Sequence, residues 1–483
     1  IYRGDVYSDP ADGSAPGSIV RKPADKLLAM RRHVYDTDQQ SELLIQSNYP
    51  SRIQPWQENT SAPPTDSWKV DRNAEGLVAS LKATDDSREH WLRYFHRWPT
   101  EAQWETASKG GQLNSVDPYE GRLVTDFYGY DSYVLVGSKM VYEERPSNAR
   151  MSGGVEFNPN YISGGPLSQF DGRARYGDGG MAKEGLHWVG DLIVETDATF
   201  SNECNEMTLE LIESGIQYQC RIDLESGAAD LAILDGDSRL NFSDGDGFES
   251  EGVKGQTSAR SGSSCSLRFS NFDDQLRLWV DDELIEFDGP TTFDGKAFRP
   301  GNENVPRYKT DSHPLDAAPI GIAVTGGEAT INRIKVDRDQ YYIATGPDSR
   351  SGINGYRRDV LDQIAGQRMT LPDVQAILAR PELWEQYPVW NALRKISFQL
   401  DEDQFFPMGD NSPESLDARC WAGSKLGGPR LPDRFRDQAY AFADASYVPR
   451  DLLVGKALLV FWPHPWNSPV PLTPNFNRFR LIR

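Results

Sequence analysis

Residues Phe405–Arg419 read FFPMGDNSPESLDAR and crowd Asp410, Asn411, Ser415, Asp417 and Arg419 into one short stretch. Gly-Asp-Asn-Ser-Pro is turn chemistry by itself. Asp417 and Arg419, two residues apart, can brace such a turn as a charge pair, and Asp410 can accept backbone or guanidinium N–H groups. Gly409 supplies backbone freedom where the chain turns. Ser415 adds a hydroxyl. Further on, Tyr447-Val448-Pro449-Arg450-Asp451 leads into Leu453-Val454-Gly455-Lys456-Ala457 and ends in FWPH.

Other constellations carry less chemistry. Asp244-Gly245-Asp246-Gly247 with Glu249 and Glu251 is dense in oxygen ligands but lacks the twelve-residue order of a calcium loop, and reads as a solvated acidic loop. Glu89-His90 and His96 lie among Trp91, Tyr94, Phe95 and Trp98, a pattern that reads as a packing patch. Cys204, Cys220, Cys265 and Cys420 have no metal spacing, and with six scattered histidines no structural metal is expected. Cys204 with Cys220, or Cys220 with Cys265, can pair, but buried free thiols is the plainer reading. Gly137-Ser138-Lys139-Met140 reads as a surface loop.

The two parts of the C-terminal stretch resemble the conserved box of type I signal peptidases, in which a GDN and an S-x-D-S-R ending precede a VP…GKA strand. Gly409, Asp410, Asn411, Ser415, Asp417 and Arg419 match, as do Val448, Pro449, Gly455, Lys456 and Ala457. Ala418 stands where the family has Ser, and an insertion separates Trp421 from Tyr447. The match covers about 80 of 483 residues. The resemblance implies a serine endopeptidase that removes signal peptides from exported preproteins with a Ser nucleophile and a Lys base. Burial must lower such a lysine several units from about 10.4, and a hydroxyl aims the neutral amine without charging it. Ser415 would be that hydroxyl, supported by Asp410, Asn411, Asp417 and Arg419. No matching nucleophile or lysine box occurs. Tyr2–Tyr7 fits the strand after the lysine box, so both groups are expected upstream of Ile1. The implied setting is the extracytoplasmic side of the cell membrane, with an anchor outside this sequence, preprotein signal peptides as partners and no cofactor.

Strands must position this box. Ile216, Tyr218, Cys220, Ile222 and Leu224 alternate with polar residues, a period of two. Thr208–Glu213 with Ser214-Gly215 predicts a hairpin. Leu267/Phe269 and Leu276/Leu278/Val280 flank Asn271–Asp274, Asp281-Asp282 turns into Leu284–Phe287, and Pro319–Val324 and Thr330–Val336 flank Gly326-Gly327. His187-Trp188 is expected to open a strand. The block resembles concanavalin-like jelly rolls of the laminin-G type. Helical spacing is confined to Pro23 with Leu27, Leu28, Met30 and Val34, and to Thr370-Leu371-Pro372-Asp373 with Val374, Ile377 and Leu378. Val454–Phe461 is the clearest C-terminal strand.

The expected fold is therefore mainly β: a partial signal-peptidase-type β fold interrupted by a jelly-roll sandwich, with a few short helices. The expected divisions are a peptidase-fold segment over 1–59, an insertion over 60–180, a sandwich over 181–345, a helical connector over 346–398 and a C-terminal peptidase segment over 399–483. Hydrophobic residues at 38% and charged residues at 25% permit a packed core. Net charge is −21, without the basic footprint of a nucleic-acid protein. Residues 181–300 hold 25 acidic and 9 basic residues (−16), whereas 419–483 hold 10 basic and 4 acidic (+6). The tail aromatics Phe461, Trp462, Trp466, Phe476 and Phe479, with Arg478, Arg480 and Arg483, suit either packing or a membrane interface. The alternative to the peptidase is a non-catalytic binding protein whose sandwich recognises a glycan or protein.

Overall fold

The computed structural model describes residues 1–8, 17–57, 68–73, 76–83, 87–126, 185–309, 313–344, 353 and 355–400, with 403–409, 417–421, 448–450, 453–455 and short strand pieces at 134–136, 139–142, 150–151, 155–156, 459–460 and 480–481. Two antiparallel sheets of eight strands each dominate it.

The strands are β1 (Arg32–Asp36), β2 (Ile53–Trp56), β3 (Lys69–Asn73), β4 (Gly76–Lys82), β5 (Glu89–Tyr94), β6 (Leu192–Phe200), β7 (Glu206–Glu213), β8 (Ile216–Asp223), β9 (Ala228–Asp235), β10 (Ser238–Leu240), β11 (Val253–Gln256), β12 (Ser264–Ser270), β13 (Arg277–Val280), β14 (Glu283–Leu284), β15 (Ile320–Thr325) and β16 (Glu328–Arg338). The first sheet runs β14-β13-β12-β6-β16-β4-β3 with β1 also on β16; the second runs β10-β9-β8-β7-β15-β5-β2 with β11 also on β9. Period-two spacing turns Leu209 and Leu211 of β7, Cys220 and Ile222 of β8, Leu267 and Phe269 of β12 and Ile334 and Val336 of β16 into one core between the sheets.

The fold is mainly β with short helices, but the sandwich reaches beyond 181–345. Five strands between residues 32 and 94 complete its two sheets, so the expected divisions at 1–59 and 60–180 cut through it. The signal was present: Leu77, Ala79 and Leu81 are buried at alternate positions of β4. Flanking Trp-, Pro- and Gly-rich stretches obscured it. The helix expected through Val34 is α1 (Ala24–Met30) alone, and Val34 faces the core from β1. His187-Trp188 does not open β6, which starts at Leu192; Trp188 makes only an isolated bridge to Thr125. Of Val454–Phe461 the described residues show a strand only at Leu459–Val460, paired with Arg480–Leu481, while Val454 is exposed.

Type I′ turns join the hairpins. Ser214 and Gly215, Asp281 and Asp282, and Gly326 and Gly327 are all left-handed, the twist that matches paired strands. At Gly326, φ is +72° and an added Cβ would stand 2.7 Å from Glu203 O. Gly326→Ala is therefore expected to lower stability by about 1–2 kcal/mol or more, read as the urea unfolding midpoint.

A second hydrophobic cluster joins α2 (Arg358–Ala365) and α3 (Leu371–Leu378) through Leu361, Val374, Trp384 and Trp390. Thr370 and Asp373 form a capping box at the start of α3. The N-terminal segment ties this cluster to the sandwich. Ile1 N donates to Ile396 O at 2.7 Å, and Tyr342 N–H donates to Gly4 O at 2.9 Å.

Candidate functional site: an acidic, aromatic cleft

A cleft of about 920 Å³, its open mouth included, lies at the end of the sandwich where these units meet. Each wall has a distinct origin. The N-terminal segment brings Tyr2, Arg3, Asp5 and Tyr7; the entry to β6 brings Trp188 and Asp191; the β7–β8 turn brings Glu213 and Tyr218. Asp274, Lys296, Phe298 and Arg299 come from the loops after β12 and β14, Asp339 and Tyr341 from the end of β16, and Trp390 from the helical cluster.

Four carboxylates converge beside it. One oxygen from each of Asp5, Asp191, Asp273 and Asp339 lies within 4.8 Å of the others. Lys22 enters this group, its Nζ 2.5 Å from Asp273 and 2.6 Å from Asp339. Asp273 N–H donates to Asp191 Oδ2 at 3.1 Å, and Lys22 N–H to Asp273 Oδ2 at 3.0 Å. Asp273 and Asp274 both hold left-handed backbone, which β-branched or bulky residues resist and Asp tolerates.

Burial lifts the Asp5 carboxyl well above the usual range, and the Asp273 charge adds to it. Asp191 is raised by burial and by Asp5, and Asp339 by burial against the pull of Lys22. Glu213 is pushed up to about 8 and Asp274 to about 6, burial leading in both. Burial disfavours the Lys22 ammonium, but Asp339 and Asp273 outweigh it and hold the amine charged. Lys22 is thus a fixed cation, unlike the neutral base a Ser/Lys dyad needs.

Of the residues expected to do chemistry, Asp410, Asn411 and Ser415 lie outside the described residues, as do Lys456 and Ala457. Asp417 and Arg419 are described and buried. They form a two-pronged pair, Arg419 Nε donating to Asp417 Oδ1 at 2.8 Å and Nη2 to Oδ2 at 2.7 Å. Asp417 also accepts Gly409 N–H at 2.7 Å, and Arg419 Nη1 donates to Ile343 O at 3.0 Å. Phe405 pairs with Val448 and Gln404 with Pro449, so both parts of the motif adjoin. Asp417 and Arg419 are not among the residues that line the cleft.

The remaining constellations resolve as packing or turns. Asp244 Oδ1 accepts the N–H groups of Asp246 at 2.8 Å and Phe248 at 3.1 Å in an exposed turn. His90 and His96 are buried, His96 Nδ1 lying 2.7 Å from the Tyr94 hydroxyl. Cys204, Cys220 and Cys265 are buried free thiols, and burial pushes Cys265 up to about 12. Lys139 and Met140 lie in a strand, Lys139–Tyr142, rather than a loop, and Gly137 and Ser138 lie outside the described residues. Of the tail aromatics and arginines, only Arg480 falls in a described element. No described helix is long and apolar enough to cross a membrane.

Sequence reasoning missed Asp5, Lys22, Asp191, Asp339 and the buried Asp126–His187 pair, whose Oδ2 and Nδ1 are 2.9 Å apart. Tyr2–Tyr7, the Thr208–Glu213 hairpin and the Asn271–Asp274 turn were read from the sequence and reach the cleft, but none was read as part of a site. The others are joined by topology across more than three hundred residues.

No family model and no curated protein matches this sequence. The resemblance to type I signal peptidases therefore rests on the quoted residues alone. Among solved structures, galectin LEC-6 of Caenorhabditis elegans matches at 8% identity and TM-score 0.19, over 31% of this chain and 83% of its own. The carbohydrate-binding module CBM66 of Bacillus subtilis matches at 11% and 0.21, over 31% and 75%, and sheep galectin-11, in complex with glycerol, at 11% and 0.18, over 30% and 90%. These are β-sandwich neighbours at TM-scores too low to bear on what the chain binds.

Proposed function

We propose that this chain is a carbohydrate-binding protein and that the cleft at the end of the sandwich holds the glycan. The observation that carries this is the wall itself, which mixes aromatic rings (Tyr2, Tyr7, Trp188, Phe298) with carboxylates (Asp5, Asp191, Glu213, Asp274). Aromatic faces cover the apolar C–H face of a pyranose, and carboxylates accept its hydroxyls. Titration of the chain with a panel of neutral and charged oligosaccharides tests it. Saturable binding is expected, and Tyr7→Ala is expected to weaken it at least tenfold with a circular dichroism spectrum that shows the fold intact. Failure of every sugar to bind refutes the reading.

A second reading, a serine endopeptidase acting on preprotein signal peptides at the extracytoplasmic membrane face, is favoured by one arrangement. Arg419 bonds Ile343 O, and the adjacent Tyr342 pairs with Gly4, so the end of the box and the N-terminal segment share one stretch of backbone. In that reading Ser415→Ala, made in a chain extended upstream through the expected Ser and Lys boxes, lowers kcat for preprotein cleavage strongly and leaves KM unchanged. Normal turnover in that variant removes the role given to Ser415.

A further inference from the structure

We infer that a small pocket beside β1, β2 and β3 binds a phosphate or sulfate monoester, at a site separate from the cleft. Tyr35 of β1, Arg52 just before β2, Arg72 of β3 and the chain from Gln40 to Pro50 enclose about 320 Å³, the open mouth included. None of the residues that line this pocket lines the cleft, so the inference stands apart from the carbohydrate reading.

The pocket is cationic in an acidic chain. The sequence holds 72 acidic and 51 basic residues, yet two guanidinium groups and no carboxylate line the pocket among the described residues. Arg72 is half-buried, and its side chain forms no hydrogen bond or ion pair among the described residues. Burial, with the Arg52 charge behind it, lowers Arg72 from its ordinary value against the pull of Tyr35. A half-buried guanidinium without a counter-charge costs free energy that an arriving anion recovers.

The charge behind the pocket has the same sign. Arg52 is buried, and its guanidinium stands 4.7 Å from the centre of the Tyr35 ring, which holds it in place without cancelling its charge. Arg97, also buried, donates only to backbone carbonyls, those of Ser51, Asp117, Pro118 and Glu120. Burial leads in lowering Arg97, to about 10, and His96, and the Arg52 charge adds to both.

A guanidinium fork can grip two oxygens of a tetrahedral oxyanion at once, and this pocket offers two forks. Leu44, Ile45, Pro50 and the rings of Tyr35 and Tyr49 make the rest of its wall apolar. The oxyanion is therefore expected to arrive on an apolar or aromatic group rather than alone.

Calorimetric titration of the chain at low ionic strength with phenyl phosphate, phenyl sulfate, inorganic phosphate, inorganic sulfate and phenol tests this. At least one ester is expected to bind saturably and at least tenfold more tightly than its inorganic ion, with phenol silent, and the tighter ester identifies the group. Arg72→Gln is expected to weaken that ester at least tenfold, and Arg72→Lys to weaken it less. Both variants are expected to keep the parent's circular dichroism spectrum and a urea midpoint no lower than the parent's, because no native bond is lost. Failure of both esters to bind, an inorganic ion as tight as its ester, phenol as tight as either, or full affinity in Arg72→Gln overturns the inference. None of these probes is a sugar, so each outcome leaves the carbohydrate reading to its own titration.

Discussion

Arg93→Met is expected to lower stability by about 3–5 kcal/mol, the loss usual when one partner of a buried ion pair is removed. Arg93 and Glu210 are 1% and 0% exposed on their side chains, and their atoms meet at 2.6 Å. The pair lies on the face of the second sheet turned away from the core. There the guanidinium sits 4.7 Å from the Trp56 ring and 4.9 Å from the Trp91 ring. Glu210 also accepts from Gln217 at 3.0 Å and Gln219 at 2.6 Å. The network thus ties β2 and β5 to β7 and β8, across strands contributed by distant parts of the chain. Without Arg93 the carboxylate keeps two amide donors but no counter-charge, inside a layer that excludes water. Arg93→Met with Glu210→Leu is expected to recover most of the loss, because two desolvated charges are replaced together. Urea unfolding of the single and double variants checks this. A single variant as stable as the parent would show that the pair contributes nothing.

The sandwich was legible wherever a strand faces the core on one side. Ile216–Asp223 alternates cleanly because one face meets the opposite sheet and the other carries Gln217, Gln219 and Arg221. The turns were legible too, because Gly, Asn and Asp most readily accept the left-handed backbone that a tight hairpin needs. The strands before residue 100 were not. Pro55 and two tryptophans interrupt β2 and β5, and neither strand shows a strict alternation of buried and exposed positions.

The cleft was illegible for a different reason. Its carboxylates are single residues at the ends of elements, brought together by an N-terminal segment that crosses from the helical cluster to β16. Asp5, Asp191 and Asp339 have no sequence neighbours in common, and each alone reads as a surface acid. By contrast, Asp417 and Arg419 are a local pair, so spacing alone could suggest a bidentate brace there.

Stability is expected to fall as pH rises from about 6.5 to 8.5, and Glu213→Gln is expected to remove much of that slope. Glu213 is held up at about 8 and Asp316 at about 7, both first by burial. In the unfolded chain the same carboxyls ionise near 4. Over the intervening range the folded state holds protons that the unfolded state has released, so each step upward favours unfolding. Two buried histidines act oppositely at lower pH. Burial drives His96 down and His313 down to about 2, so below about 6.5 the unfolded state gains protons that these folded imidazoles refuse. Below about 6.5 the two trends oppose each other. Above it the histidines are neutral in both states, and the carboxyls set the sign alone until thiols ionise. One carboxyl that stays protonated over 1.5 pH units contributes about 2 kcal/mol of loss. Glutamine keeps a neutral amide where the protonated acid stood, and its amide oxygen can still accept from Asn271 Nδ2, now 3.2 Å from Glu213 Oε2. Urea midpoints of parent and variant at pH 6.5 and 8.5 test the expectation. If both proteins lose stability equally, Glu213 enters folding already ionised, and the cleft carries one more fixed negative charge at neutral pH.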